Sequence, residues 1–386
     1  MTELWKTEGE QHTGECRHRV VIRAGGQLGS KCTRAAFALL VTSALLSGAC
    51  TPPGEAPAEK GDSVAEGRPK GQGRLYVTNE VSGDITVIDL TTELVVATIP
   101  VGKRPRGIEV SRDGKRLYVA LSGSPIAGPG VDEATLPPAD KKADGIGVVD
   151  IAAGKLLEVL PSGSDPEIVA VGHDGSRLYV ANEDTGQLSV IDVGQKKIVE
   201  TYTVGGEPEG VTVSPDGLQV YVTSEEDSAV SVLDITSKRI VKSIPVGPRP
   251  RSIAFLPNGT RAYVPAENGS TVSVIDTQTL EVMDTIQLGP GMRPMGTVMS
   301  PDGKVLYVTT GRSKALMIID TATHEIAGSV EVGERPWGVA VSPDGSTVYT
   351  ANGPGNNVSI IDIAARHVIK QIPAGKSPWG VAVVKD

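Results

Sequence analysis

Seven copies of one sequence pattern, each rich in β-branched residues and punctuated by turn signals, predict an all-β fold. The expected architecture is a seven-bladed β-propeller of four-stranded antiparallel blades, its ring closed by pairing the N- and C-terminal strands. Two spacings carry this reading. Tyr76, Tyr118, Tyr179, Tyr221, Tyr263, Tyr307 and Tyr349 each open a YV or YT pair, and an aspartate follows each by 13 residues, or by 32 after Tyr118. A proline comes 16 residues after each aspartate (18 at Pro294), with a glycine three places before it. The composition agrees: 46 Gly and 27 Pro among 386 residues supply many turns, while a hydrophobic fraction of 39% supplies a core.

The chain opens with a segment that reads as an export signal, residues 1–49. Arg17, Arg19, Arg23, Lys31 and Arg34 precede the apolar run 35–46, AAFALLVTSALL, and small residues lead to Cys50. Twelve apolar residues are too short to span a bilayer. The polar stretch 1–30 is long for a leader, which points to a true start near Val20, Val21 or Leu28. The run Leu46-Ser47-Gly48-Ala49-Cys50 resembles the lipobox of bacterial lipoproteins, with Ser47 where leucine is usual, and implies a lipid at Cys50. That lipid would be the only attachment to a membrane. Residues 50–73, dense in Pro, Gly and charge, are expected to form a flexible linker. Because Cys16, Cys32 and Cys50 all lie at or before the expected cleavage point, the mature body has neither a disulfide nor a thiol nucleophile.

Residues 74–386 form the propeller. Within 210–247 the runs GVTVS, QVYVTS, AVSVLD and IVKSIPV alternate with S-P-D-G and D-I-T-S turns, giving four antiparallel strands. Gly210, Gly338 and Gly380 open first strands, where seven inner strands converge. The last repeat stops after its first strand, VAVV at 381–384, and RLYVTN at 74–79 supplies what is missing. Closure of this kind removes free edges, and a monomer is expected. Residues 121–145 form an inserted loop. The net charge of −9 argues against nucleic acid as a default partner, without forbidding a local basic patch.

The YVTN run at 76–79, the SPDG turns and the VID strand ends resemble the YVTN family of bacterial β-propellers. The wording RPRGIEVSRDGKRLYVA, YVANEDTGQLSVID, GEPEGVTVSPDG and KSPWGVAV is similar, more narrowly, to its branch of PQQ-dependent catabolism-associated β-propeller proteins. The resemblance covers 74–386. It implies seven blades and a periplasmic setting beside quinoprotein alcohol oxidation, and brings no catalytic residues with it.

Strand connections alternate between the two ends of the blades, so the G-x-x-P links and the second-to-third loops share one face, which is the expected binding face. Around the ring, Arg104, Arg106, Arg249, Arg251, Arg293, Arg335, Trp337 and Trp379 are the candidates for binding a ligand or partner. An acidic sector, Asp165, Glu167, Glu183, Asp184, Glu207, Glu209, Glu225, Glu226 and Asp227, is the candidate docking surface for a basic redox protein. Its carboxylates are contiguous rather than interleaved with arginine. Arginine beside indole suits a flat anion such as a carboxylated quinone. The plainer reading is that arginines and glutamates of neighbouring links pair to knit the rim.

No metal site is expected, since no D-x-D-x-D-G loop occurs, and no dinucleotide, P-loop or GxSxG fingerprint points to a cofactor or a serine nucleophile. The propeller's three histidines, His173, His324 and His367, fall in turns at the end opposite the binding face. A non-enzymatic binding protein is therefore the leading expectation. A lactonase-type propeller hydrolase is the alternative, because some seven-bladed propellers resembling this family hydrolyse lactones. Glu109, on an innermost strand, is its best candidate base, and an ion pair with Arg106 or Arg251 is the plainer fate of that side chain.

Overall fold

A computed structural model describes residues 71–126 and 135–385 of the chain. The export segment, Cys50, nearly all of the linker, residues 127–134 of the inserted loop and Asp386 lie outside the described residues.

Seven four-stranded antiparallel sheets account for the described residues from 74 onward. Blade 1 consists of Pro105–Val110, Arg116–Leu121, Gly145–Asp150 and Lys155–Leu160, in order from the axis outward. Blades 2 to 6 repeat this plan from inner strands Pro166–Val171, Pro208–Val213, Ala254–Phe255, Pro294–Met299 and Pro336–Val341. Blade 7 takes its inner strand, Pro378–Val384, from the C-terminal end and the other three, beginning with Arg74–Asn79, from the N-terminal side. The expected closure is present, with Leu75 opposite Val383 and Tyr76 opposite Ala382. Just before the first strand, the Gly73 carbonyl accepts the Leu90 amide at 3.0 Å.

The repeat spacings have local causes. Each aspartate that ends a third strand folds its carboxylate back over the following turn: Asp89 accepts the amides of Thr91 and Thr92, and Asp276 those of Gln278 and Thr279. In the S-P-D-G turns the aspartate accepts from the serine, as from Ser214 Oγ to Asp216 at 2.6 Å, and the glycine adopts positive φ, +74° at Gly217. The repeated tyrosines lie in the seams between blades. Tyr76 of blade 7 packs with Leu117, Val119 and Val149 of blade 1, and Tyr118 with Leu178 and Val180 of blade 2. Each fully buried aliphatic side chain in such a seam contributes about 1.5–3 kcal/mol.

Two features of the inner strands position the functional face. The residue before each link proline is left-handed in all seven links, including Arg104 at φ +40°, Arg249 at +59° and Ser377 at +56°. Directly after the proline, the pairing of inner and second strands gains one residue on the inner side, a β-bulge. The bulge lifts the residue after the proline onto the channel rim. It also presses the next one against the neighbouring blade. A Cβ on Gly107 would stand 2.7 Å from the Glu167 carbonyl oxygen, and on Gly210 or Gly380 2.6 Å from those of Arg251 and Arg106. Threonines clasp these approaches: Thr78 Oγ1 donates to the Arg106 carbonyl at 2.6 Å and accepts the Gly380 amide at 2.8 Å. Thr309 does the same for Trp337 and Gly296, at 2.8 and 2.9 Å.

A side chain at Gly380 would therefore press the closing strand against the backbone of blade 1. Gly380→Val is expected to lower unfolding free energy by about 1–3 kcal/mol, the range for overpacking a filled site. Equilibrium urea unfolding measures it, and an unchanged midpoint would show that the inner strands are not in close contact there.

Candidate functional site

The residues after the seven link prolines are Arg106, Glu167, Glu209, Arg251, Met295, Trp337 and Trp379. Five of them, Glu209, Arg251, Met295, Trp337 and Trp379, line a central channel of about 390 Å³, within the usual size range for small-ligand sites. Two ion clusters and one aromatic cluster divide this ring.

The first cluster centres on Arg106. Its guanidinium pairs with Asp165 and Glu167 and approaches Glu183 at 3.6 Å. Burial opposes the charge on Asp165, but Arg106 and the Ser122 hydroxyl outweigh it and hold that carboxyl below its ordinary value. Glu183, desolvated and facing other carboxylates, is pushed up to about 7. Carboxylate oxygens of Asp165, Glu167 and Glu183 lie within 4.8 Å of one another, a spacing that could hold a cation, yet Arg106 already fills that role. The described part of the inserted loop lies over this cluster, as expected for that face. Lys103 pairs with Asp140 at 2.7 Å, Asp144 accepts the Asp165 amide at 3.2 Å, and Lys141 pairs with Asp184.

The second cluster centres on Arg251, which pairs with Glu209, Glu225 and Glu267. Arg249 contacts Glu225 at 2.6 Å, and Arg293 reaches Glu267 at 3.1 Å. Burial and the adjoining Glu209 raise the Glu225 carboxyl to about 10, so it is protonated at neutral pH. Burial also opposes ionisation of Glu209, but Arg251 and the hydrogen bond with Glu225 prevail and keep it low. The two carboxyls thus share one proton. Arg104 stands apart, pairing with Glu80 at 3.0 Å and donating to the Ser124 and Pro125 carbonyls.

Arg106 and Arg251 correct the expectation that the acidic residues are contiguous. Both arginines follow a link proline, and the bulge turns them toward neighbouring blades, so they interleave with the carboxylates. Asp165, Glu167, Glu209 and Glu225 are buried as a result, and Asp184 is paired, which removes five of the nine from an acidic docking surface. Glu207, Glu226 and Asp227 remain exposed. Sequence reasoning overlooked Glu80 and Glu267. Both fall four residues after a repeat tyrosine, as do Glu183 and Glu225, and this shared register was the available signal.

The third cluster is aromatic. Trp337 and Trp379 stack with ring centroids 5.7 Å apart and planes 28° from parallel. The guanidiniums of Arg251 and Arg335 lie over the Trp337 ring, 5.2 and 5.1 Å from its centroid. Arg335 has no carboxylate within ion-pair distance among the described residues, unlike Arg104, Arg106, Arg249, Arg251 and Arg293. Desolvation lowers its pKa.

Below the rim, Glu109 projects from mid-strand and lines the channel. It pairs with neither Arg106 nor Arg251, contrary to the plainer expectation for it, because the bulge leaves those guanidiniums at the rim, engaged by other carboxylates. Desolvation, offset in part by Arg112, raises its carboxyl to about 7. The histidines do not reach the channel: His324 pairs with Asp284 at 2.5 Å and meets Tyr263 edge-on, His173 packs against Gly217 of the next turn, and His367 begins an outer strand.

The shared proton has a consequence for stability. In the unfolded chain both Glu209 and Glu225 ionise near the ordinary carboxylate range, whereas the folded pair keeps one proton up to about 10. Unfolding between those limits releases a proton, so stability should fall as pH rises through neutrality. Glu225→Gln is expected to flatten that slope and leave stability at pH 7 within about 1 kcal/mol, while Arg251→Ala costs about 3–5 kcal/mol by stranding buried charge. Denaturant unfolding from pH 5 to 9 measures both.

Two family models match parts of the chain: "Choice-of-anchor I domain" over residues 72–249 and "Lactonase, 7-bladed beta-propeller" over residues 237–368, each less than half of its length. No curated protein matches it. Among solved structures, hydrazine synthase of Kuenenia stuttgartiensis is 23% identical, with a TM-score of 0.64 over 79% of this chain and 99% of that one. A Bacteroides uniformis protein provisionally named a 6-phosphogluconolactonase is 18% identical, with a TM-score of 0.65 over 82% and 100%. A functionally unknown protein of Desulfotomaculum acetoxidans is 13% identical, with a TM-score of 0.68 over 81% and 99%. At these identities the likeness establishes the fold: the chain is a seven-bladed β-propeller.

Proposed function

We propose that the protein is an exported, non-enzymatic propeller that binds a small planar anion of the carboxylated-quinone type at the mouth of its channel. One observation carries this reading: Arg335 lies over Trp337 of the Trp337–Trp379 stack with no carboxylate partner among the described residues. A partly desolvated guanidinium over an indole face presents charge and a flat surface together, which is what a planar carboxylate needs for bidentate pairing and stacking. The neighbouring Arg251 is saturated by three glutamates, so Arg335 is the cation left for a ligand. The sequence resemblance to PQQ-associated propellers supports a periplasmic setting beside quinoprotein alcohol oxidation. A lipid at Cys50 would hold the ring near the membrane. The exposed Glu226 and Asp227 are what remains for a basic redox partner, beside rather than within the aromatic cluster.

Titrating tryptophan fluorescence with pyrroloquinoline quinone tests the reading. A saturable quench is expected, and Arg335→Ala should weaken it by about tenfold or more, the loss of a charge-assisted hydrogen bond. Absence of a saturable quench would overturn it.

A second reading, lactone hydrolysis, is favoured by the lactonase match over 237–368 and by the carboxyl of Glu109, raised to about 7 in the channel, where a general base is effective. A panel of lactones, assayed with and without Ca²⁺, separates the two. Turnover that disappears in Glu109→Gln would establish the hydrolase. No turnover leaves the binding reading.

A further inference from the structure

The fourth residue after each link proline sits deeper along the inner strand than the rim. In chain order it reads Glu109, Ala170, Thr212, Ala254, Val298, Ala340 and Ala382, each opposite the repeat tyrosine of its own blade. Of these, Glu109, Ala170 and Thr212 line the channel, where Glu109 has the uncharged Ile168, Val169, Ala170 and Val171 of the next inner strand on the same wall. The Glu109 carboxylate makes no hydrogen bond and no ion pair with any described residue. The cation nearest to it in effect, Arg112, sits at the turn end of the channel and is committed elsewhere, donating to the Val171 and Gly172 carbonyls at 2.6 and 3.1 Å. Arg251, at the other end, is held by its three glutamates.

A carboxylate in such surroundings calls for a counter-charge. A divalent cation fits poorly, because one unpartnered carboxylate cannot provide the six or more oxygens that Ca²⁺ takes. The channel, at about 390 Å³, has room for something larger. Three residues of strand put Glu109 about 10 Å below the rim.

We infer that Glu109 forms an internal subsite of the channel that takes the positively charged end of a small organic ligand, a primary ammonium. The subsite is independent of the anion at Arg335 and stands if that reading fails. Its carboxyl is raised to about 7, so the subsite is charged above neutrality and fades below it. The other charged groups lining the channel, Arg112, Glu209 and Arg251, are each paired or hydrogen-bonded. Tyr118 faces Glu109 across the strand pair, and on the adjoining inner strands Glu167 of blade 2 is held by Arg106, while blade 7 brings no charge.

Calorimetric titration of the full chain with n-butylammonium, and with n-butanol as the neutral control, tests the inference. Saturable binding of the amine alone is expected at pH 8, weakening about tenfold per pH unit below 7 as the carboxyl protonates. Glu109→Ala installs the residue that four other blades carry at this position, so it should fold, which a thermal melt checks, and it should abolish the binding. Equal amine binding by wild type and Glu109→Ala, or no saturable binding at pH 8, would overturn the inference.

Discussion

The rest of the structure depends on how closely the inner strands approach one another. Seven strands converge on the axis, and the bulge after each link proline brings the backbone of one blade against the carbonyl of the next. Only a glycine tolerates that distance at Gly107, Gly210, Gly296, Gly338 and Gly380, and threonine hydroxyls such as Thr78 and Thr309 satisfy the polar groups that would otherwise be stranded there. The same bulge decides which side chains reach the rim and which way they lean. Closure and site therefore share one cause: the turn that lets the blades pack also delivers arginine, glutamate and tryptophan to the channel mouth.

Electrostatics at that mouth follows from the geometry. Arg106 and Arg251 are nearly inaccessible, and each is surrounded by three carboxylates. Buried charge in such an arrangement costs much to break and contributes little net stability when intact. Its service is to fix the rim in one arrangement, including the position of Trp337, against which Arg251 rests. Arg335 also lies over that indole and is exposed. One half of the rim is internally compensated and rigid, while the other presents an unsatisfied cation on a flat aromatic surface.

The blade number, the strand order within a blade and the closure were all legible, because they follow from spacings that recur seven times. The grouping of links and second-to-third loops on one face was legible for the same reason; of the expected sector Arg293, Arg335, Trp337 and Trp379, the last three meet, while Arg293 pairs with Glu267. Pairing was harder to read. Nothing in the order Arg104, Asp165, Glu207, Arg249 reveals that the side chains after the prolines cross to neighbouring blades, since that depends on a bulge of one residue. Glu267 escaped notice because it lies in a loop between two arginine-bearing links, although its register after Tyr263 matches that of Glu225 after Tyr221. Glu109 was recognised as unusual for its place on an inner strand. Its isolation depends on the apolar inner strand of blade 2, Ile168 to Val171, which shares the channel wall with it only once the blades are packed.

The direct measurement of the central claim is a ¹⁵N-indole NMR titration with a planar aromatic carboxylate. If the anion seats on the Arg335 side of the aromatic stack, the indole resonances of Trp337 and Trp379 move together along one saturation curve. If they stay still while the anion binds elsewhere, the channel mouth is a structural seam and not a recognition site.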